Sequence, residues 1–267
     1  NQRMHDALHS PGRFNTVYVY EREQKWPWGH RNVVFAQRGG PIVYIKRSLY
    51  LTSPWQKTLP AKKSTEGEIL PYELWDILKE YGKPVALVSH TGATGMGTDW
   101  KMYEKFDYSS ENIVEIFQGA RVSYEGAGAP QPSVGFLPNT HLNATGRVVN
   151  SPSAPIMDFG KHANGTYQTA LSEGHNLGVF ASSDHISQHA TYGGVYCKDF
   201  TREGIIEAMD NRRTIAATDK IYLNFTCNDQ PLGSFLKTKG APKFWVKVDG
   251  TSDFKRITIV RNEKDWK

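Results

Sequence analysis

The feature that most constrains the fold is a recurring pattern, in which a short run of apolar and β-branched residues ends in a Glu, His or Asp side chain. Residues 16–21, 84–90 and 177–184 are such runs, and each has the length of a β-strand. Helical segments accompany them: Pro71 suits the first turn of one helix, and Thr201 is placed to cap another. Alternating strands and helices are typical of α/β folds, whose catalytic side chains collect at the carboxyl ends of strands.

The pattern changes after residue 214. Residues 221–225, 244–248 and 257–260 have strand composition, and no helical segment separates them. We therefore predict two segments, an α/β domain in residues 1–214 and a small β-rich, β-sandwich-like appendage in residues 215–267.

The charge balance bears on the partners of the chain. The net charge is +5 and the pI about 9.0, which suits an anionic substrate such as a phosphorylated small molecule. No block of five or six Lys and Arg residues occurs, which argues against a nucleic-acid partner. No apolar run of 18 residues occurs either, so no membrane-spanning segment is predicted. Cys197 and Cys227 are too few for a thiolate zinc site or a disulfide framework.

Several side chains are of the types that bind divalent metal ions. The candidates are Glu21, His30, His90, Glu115, Asp184 and His185. Taken alone, Glu21 is better explained as a solvated charge at a strand end, and His30 is equally well explained as a turn histidine. Glu115 lies between apolar residues of a strand, so its carboxylate should face the interior and have a metal, Arg or His partner.

The order of these residues is similar to that in a known superfamily. The matching segments are Tyr20-Glu21, Gly29-His30-Arg31-Asn32, Ser89-His90-Thr91, Val114-Glu115-Ile116 and Ser183-Asp184-His185. Together they resemble the PHP (polymerase and histidinol phosphatase) superfamily of metal-dependent hydrolases, and within it a bacterial group of uncharacterised PHP-like proteins.

The resemblance implies a distorted (β/α)7 TIM-like barrel that holds two or three zinc, manganese or iron ions. In that pattern Glu21 matches the bridging carboxylate, and His30, His90 and Asp184 match metal ligands. Glu115 matches a position whose role varies among relatives.

Two departures from the superfamily pattern matter. No His-x-His pair occurs in the chain, so we expect the first barrel strands to be missing and the barrel to be N-terminally incomplete. Its open edge should then be covered by a second chain or a symmetry mate. Asp184 is followed directly by His185 rather than by the usual Asp-x-His, which leaves the last ligand open between His185 and His189.

The leading hypothesis for function is a phosphoesterase that uses a metal-activated hydroxide. Glu21 and Asp184 are its expected catalytic carboxylates, and Arg31 and Arg121 are the expected clamp on the phosphate. Two alternatives stay open: a metal hydrolase of C–N or C–O bonds, and a binding or structural protein without activity. An incomplete barrel also leaves open that this chain alone is inactive.

Overall fold

A computed structural model describes most of the chain. The described residues are 2–24, 26–43, 71–90, 92–105, 111–118, 123–126, 129, 140–142, 148–150, 162–183 and 191–266. The α-helices are α1 (Gln2–Leu8), α2 (Pro71–Tyr81), α3 (Tyr167–Ser172) and α4 (Arg202–Asp210), with 3-10 turns at Trp100–Lys105 and Ala163–Gly165. None of the helices in these ranges is long and apolar enough to cross a bilayer.

The strands fall into one larger sheet and several small ones. In chain order they are β1 (Tyr18–Glu23), β2 (His30–Phe35), β3 (Val85–His90), β4 (Ile113–Gln118), β5 (Thr140–Leu142), β6 (Val148–Asn150), β7 (Gly178–Ser182), β8 (Tyr192–Val195), β9 (Thr214–Ala217), β10 (Tyr222–Cys227), β11 (Gln230–Pro231), β12 (Phe244–Asp249), β13 (Val260–Arg261) and β14 (Lys264–Asp265). The strand expected at 84–90, the strand expected around Glu115 and the helix expected from Pro71 are confirmed.

The expected (β/α)7 TIM-like barrel is wrong. The main sheet has the order β1-β2-β3-β4-β7 and is mixed, because β2 is antiparallel to both β1 and β3, whereas β3, β4 and β7 are parallel. The physical reason lies in residues 24–29, a connection too short to hold a crossover helix, so that β1 and β2 form an antiparallel hairpin. Among the described residues the sheet stays open, and β1 and β7 are its outer strands.

Helices cover both faces of this sheet. On one face, Leu74, Trp75 and Leu78 of α2 pack against Val33 and Leu87. The spacing of these three helix residues places them on one side of α2.

On the opposite face, Ile206 and Met209 of α4 pack against Val34, Val88 and Ile113. The helix begins where predicted, because the Thr201 side chain accepts a hydrogen bond from the backbone N–H of Gly204 at 3.0 Å. Successive side chains of a strand alternate between the face covered by α2 and the face covered by α4. Polar side chains from neighbouring strands can therefore come together only when they lie on the same face.

The region after Ala217 is all β in the described residues. β10 pairs with β11 and with β12 in one antiparallel sheet, and β13 pairs with β14. The strands expected at 221–225 and 244–248 are confirmed, whereas of residues 257–260 only Val260 lies in a strand. The division of the chain into two domains at residue 214 stays a prediction.

Candidate functional site

Three of the predicted metal ligands meet at one end of the main sheet. His30 is the first residue of β2 and His90 the last of β3, and the antiparallel register makes them direct partners across the two strands. Glu21 lies in β1, on the strand next to His30, and its own partner is Asn32. Partners in an antiparallel pair project to the same face, so all three side chains are on the face of the sheet that α4 covers.

The three side chains are close enough to share one ion. Glu21 Oε1 lies 3.0 Å from His30 Nδ1 and 2.9 Å from His90 Nε2, and one ligand atom from each residue lies within 4.8 Å of the others. Exposure of the side chain is 12% for His30, 10% for His90 and 39% for Glu21, so the cluster opens to solvent on the Glu21 side. Hydrogen bonds from His30 and then His90 hold the pKa of the Glu21 carboxyl well below its ordinary value.

The β1–β2 turn is fixed against the loop that follows β3. His30 N–H donates to Met96 O at 2.8 Å, and Trp26 N–H donates to Gly95 O at 2.9 Å. Gly29, with φ +76°, approaches this loop so closely that a Cβ there would lie 2.4 Å from Thr98 Oγ1. The glycine-rich stretch after His90 therefore holds the backbone of His30 in place.

Glu115 lies next to the cluster but is not one of its three members. Its residue is 2% exposed, its Oε1 accepts a hydrogen bond from Ser182 Oγ, and its Oε2 lies 3.8 Å from His90 Nδ1. The expectation that this carboxylate faces the interior and has a histidine neighbour is confirmed.

The remaining predicted site residues are placed differently or not described. Asp184, His185, Arg121 and the alternative ligand His189 lie outside the described residues. Arg31, expected to clamp a phosphate, follows His30 directly in β2, and successive side chains of a strand project to opposite faces of the sheet. The Arg31 side chain therefore lies on the face that α2 covers, away from the cluster.

Arg31 is instead part of a buried ion pair. Its guanidinium bonds to the Glu111 carboxylate, with Nη2 3.3 Å from Oε2, and both side chains are 0% exposed. Ser89 Oγ at 2.9 Å and Trp75 Nε1 at 3.0 Å also donate to Glu111. The phosphate-clamp prediction for Arg31 is corrected: its charge is already used in holding β2 to the residues that precede β4.

The cluster fits a divalent metal ion. Two imidazoles and one carboxylate are a ligand set of catalytic zinc sites, in which a fourth position stays open for water. Zinc bonds of about 2.0–2.2 Å in a tetrahedral site place ligand atoms about 3.4 Å apart, so the contacts of 2.9 and 3.0 Å need to open only slightly. The same three side chains also satisfy one another by hydrogen bonds, which is an alternative role for them.

Sequence reasoning missed the part played by two residues. Ser182, which anchors Glu115, was visible only as a polar residue near the end of an apolar strand. Gly29 was visible only as the residue before His30, and its close approach to Thr98 depends on a loop more than sixty residues away in the chain.

Comparison with known proteins yields relatives but no family. The chain is 26% identical over 187 residues to an uncharacterized protein of Chlamydia muridarum and 27% identical over 188 residues to one of Chlamydia trachomatis, with 67% of this chain covered in each case. An uncharacterized protein of Chlamydia pneumoniae is 24% identical over 192 residues. The matched region spans 28% of the length of each of these relatives. No protein-family model and no solved structure matches the chain.

Proposed function

We propose that the chain carries a divalent-metal site formed by Glu21, His30 and His90, and that this site belongs to a metal-dependent hydrolase of the phosphoesterase type. The observation that carries the proposal is the convergence of one carboxylate and two imidazoles within 4.8 Å at a sheet end. The order of these residues along the chain, which resembles that of the PHP superfamily, is further support. The proposal does not depend on a barrel, since similar metal chemistry occurs on unrelated folds.

The residues of the chain have separate tasks in such a site. His30 and His90 would supply nitrogen ligands, and Glu21, on the solvent-exposed side of the cluster, would supply a negative charge. A bound divalent ion would lower the pKa of a coordinated water and polarise the phosphoryl oxygen. The buried environment of His30 and His90 would exclude bulk water from one side of the site. The net charge of +5 favours an anionic substrate.

Binding of zinc or manganese, measured by isothermal titration calorimetry, tests the metal site. We expect one ion per site for the wild-type protein and loss of binding for Glu21→Gln, which keeps the shape but removes the charge. The matched control is Glu80→Gln, because Glu80 is exposed on α2, on the other face of the sheet. A wild-type protein that binds neither metal contradicts the proposal and leaves the structural role, in which Glu21 only accepts hydrogen bonds from His30 and His90.

Hydrolysis by the metal-loaded protein tests the substrate class. We expect cleavage of a generic phosphomonoester or phosphodiester that falls together with metal affinity in Glu21→Gln. Metal-loaded protein that leaves phosphoesters intact but cleaves amides or carboxylic esters contradicts the phosphoesterase proposal and favours a hydrolase of C–N or C–O bonds.

A further inference from the structure

We infer that Glu115 is a positioning residue that orients His90, and that Ser182 in turn holds Glu115. The inference rests on the proposed metal site and goes beyond it, because it assigns a role to a carboxylate that would otherwise count as a further ligand. Its starting point is that His90 presents its two ring nitrogens to two different carboxylates, Nε2 to Glu21 at 2.9 Å and Nδ1 to Glu115 at 3.8 Å.

The geometry of the imidazole ring separates the two carboxylates. Lone pairs or N–H bonds on the two nitrogens diverge widely in the ring plane, so an ion on Nε2 and a carboxylate at Nδ1 stand on different sides of His90. Glu115 accordingly is not part of the cluster whose ligand atoms lie within 4.8 Å of one another among the described residues. The 3.8 Å between Nδ1 and Oε2 is an ion-pair distance, longer than a hydrogen bond. A small rotation of either side chain brings Glu115 to the position of the outer carboxylates that accept the second N–H of metal-bound histidines.

The Glu115 carboxylate is fixed by its surroundings. The side chain is 3% exposed, and β4 is flanked on both sides by the parallel strands β3 and β7. Ser182 at the end of β7 donates its hydroxyl to Oε1, which leaves Oε2 directed toward His90. A buried carboxylate is costly unless it is bonded, so the Ser182 contact both lowers that cost and selects one orientation.

This arrangement determines the tautomer that the ligand needs. When an ion replaces the contact between His90 Nε2 and Glu21, the ring proton stands on Nδ1, facing Glu115, and the Nε2 lone pair is available for coordination. Without the carboxylate, the neutral ring can carry its proton on either nitrogen and can rotate, and both changes weaken binding. Outer partners of metal-bound histidines typically contribute about 10–100-fold in metal affinity.

Zinc titration of Glu115→Gln tests the assignment. We expect the dissociation constant to rise about 10–100-fold with the stoichiometry unchanged, whereas Glu21→Gln loses binding. Ser182→Ala should weaken binding in the same direction by a smaller factor. Ser183→Ala is the matched control, since that hydroxyl lies 3.4 Å from Thr191 O and does not contact Glu115. If Glu115→Gln abolishes binding as Glu21→Gln does, Glu115 is a ligand and the inference is overturned; an unchanged affinity overturns it as well.

Nitrogen-15 NMR of the His90 ring supplies a readout that does not depend on activity or on bound metal. In the wild-type protein we expect Nδ1 of His90, which faces Glu115, to carry a proton, and in Glu115→Gln we expect that proton to move to Nε2, which faces Glu21. A His90 ring whose protonation pattern is the same in both proteins overturns the positioning role even if zinc binds. Failure of the wild-type protein to bind zinc contradicts the proposed function instead, so the two failures are distinguishable. If Glu115→Gln does not fold, Ser182→Ala decides in its place.

Discussion

Arg31 and Glu111 form a buried ion pair, and substitution of either residue leaves the charge of the other without its partner. Both side chains are fully buried, and Glu111 accepts additional hydrogen bonds from Ser89 and Trp75. Glu111→Gln removes the negative charge and leaves the Arg31 guanidinium buried without an opposite charge, although it still donates to the backbone carbonyls of Trp28 and Gly29. Breaking one side of a buried pair costs about 3–5 kcal/mol, and we expect a loss of this size in the free energy of unfolding measured in urea.

The control for that measurement is an exposed ion pair of the same type. Arg213 Nη1 lies 3.3 Å from Glu207 Oε2, with exposures of 29% and 50%. Glu207→Gln should lower the free energy of unfolding by less than about 1 kcal/mol. Equal losses in the two variants would contradict a structural role for the buried pair.

At the residue scale, the sequence predicts which residues form the candidate site better than it predicts the contacts around them. Glu21, His30 and His90 could be proposed because each is a metal-binding residue type at or near an apolar strand. The burial of Arg31 could not be foreseen, since its partner Glu111 precedes a different strand and no local pattern connects the two. The same holds for Ser182, which meets Glu115 only because β4 and β7 are neighbours.

At the scale of elements, the tight turn between β1 and β2 determines where His30 lies. Gly29 and Gly12 have the same φ of +76°, but only Gly29 lies against another segment. Gly29→Ala therefore adds a steric clash with Thr98 to the strain of a left-handed backbone, whereas Gly12→Ala adds the strain alone. We expect Gly12→Ala to cost about 1 kcal/mol and Gly29→Ala clearly more, both by urea denaturation.

The same pair of variants reports on the site. Displacement of the turn in Gly29→Ala should move His30 and weaken zinc binding, whereas Gly12→Ala should leave the affinity unchanged. A Gly29→Ala protein with wild-type stability and zinc affinity would show that the turn tolerates the added methyl group and does not position His30.

The sequence pattern does not predict the relative direction of neighbouring strands. The run at 16–21 was expected to end at Glu21, but β1 continues to Glu23 because residues 21–23 pair with His30–Asn32 of β2. The expectation of a parallel barrel assumed a helix after each strand. Only six residues, 24–29, connect β1 to β2, and a connection of that length permits only antiparallel pairing.

At the scale of the whole molecule, the sheet formed by β10, β11 and β12 leaves an apolar face incompletely covered. The register of β10 and β12 places six apolar side chains on one face, and each of them is at least partly exposed. They are Leu223, Phe225, Cys227, Phe244, Val246 and Val248. Small sheets of this kind are stable only when such a face packs against something. We expect the protein to bind a hydrophobic fluorescent dye, and we expect Val246→Asp to lower the signal.

The control for this prediction lies on the opposite face of the same sheet. Asn224 is the partner of Lys247, so Asn224→Asp introduces the same charge where it is paired and should leave dye fluorescence unchanged. Equal fluorescence in all three proteins would place the dye elsewhere and contradict an accessible apolar face.

The spacing of the three site residues along the chain bears on the order in which the protein folds. Glu21 and His30 lie on the two strands of one hairpin, nine residues apart, whereas His90 follows about sixty residues later. A hairpin closes in about 1–10 μs, and bringing together residues about sixty positions apart has a larger entropic cost than closing the hairpin. An ion present from the start of refolding would therefore first meet a bidentate site formed by Glu21 and His30, and it would favour the hairpin as a folding nucleus. Added after folding, the same ion would act only on the rate at which the native state opens.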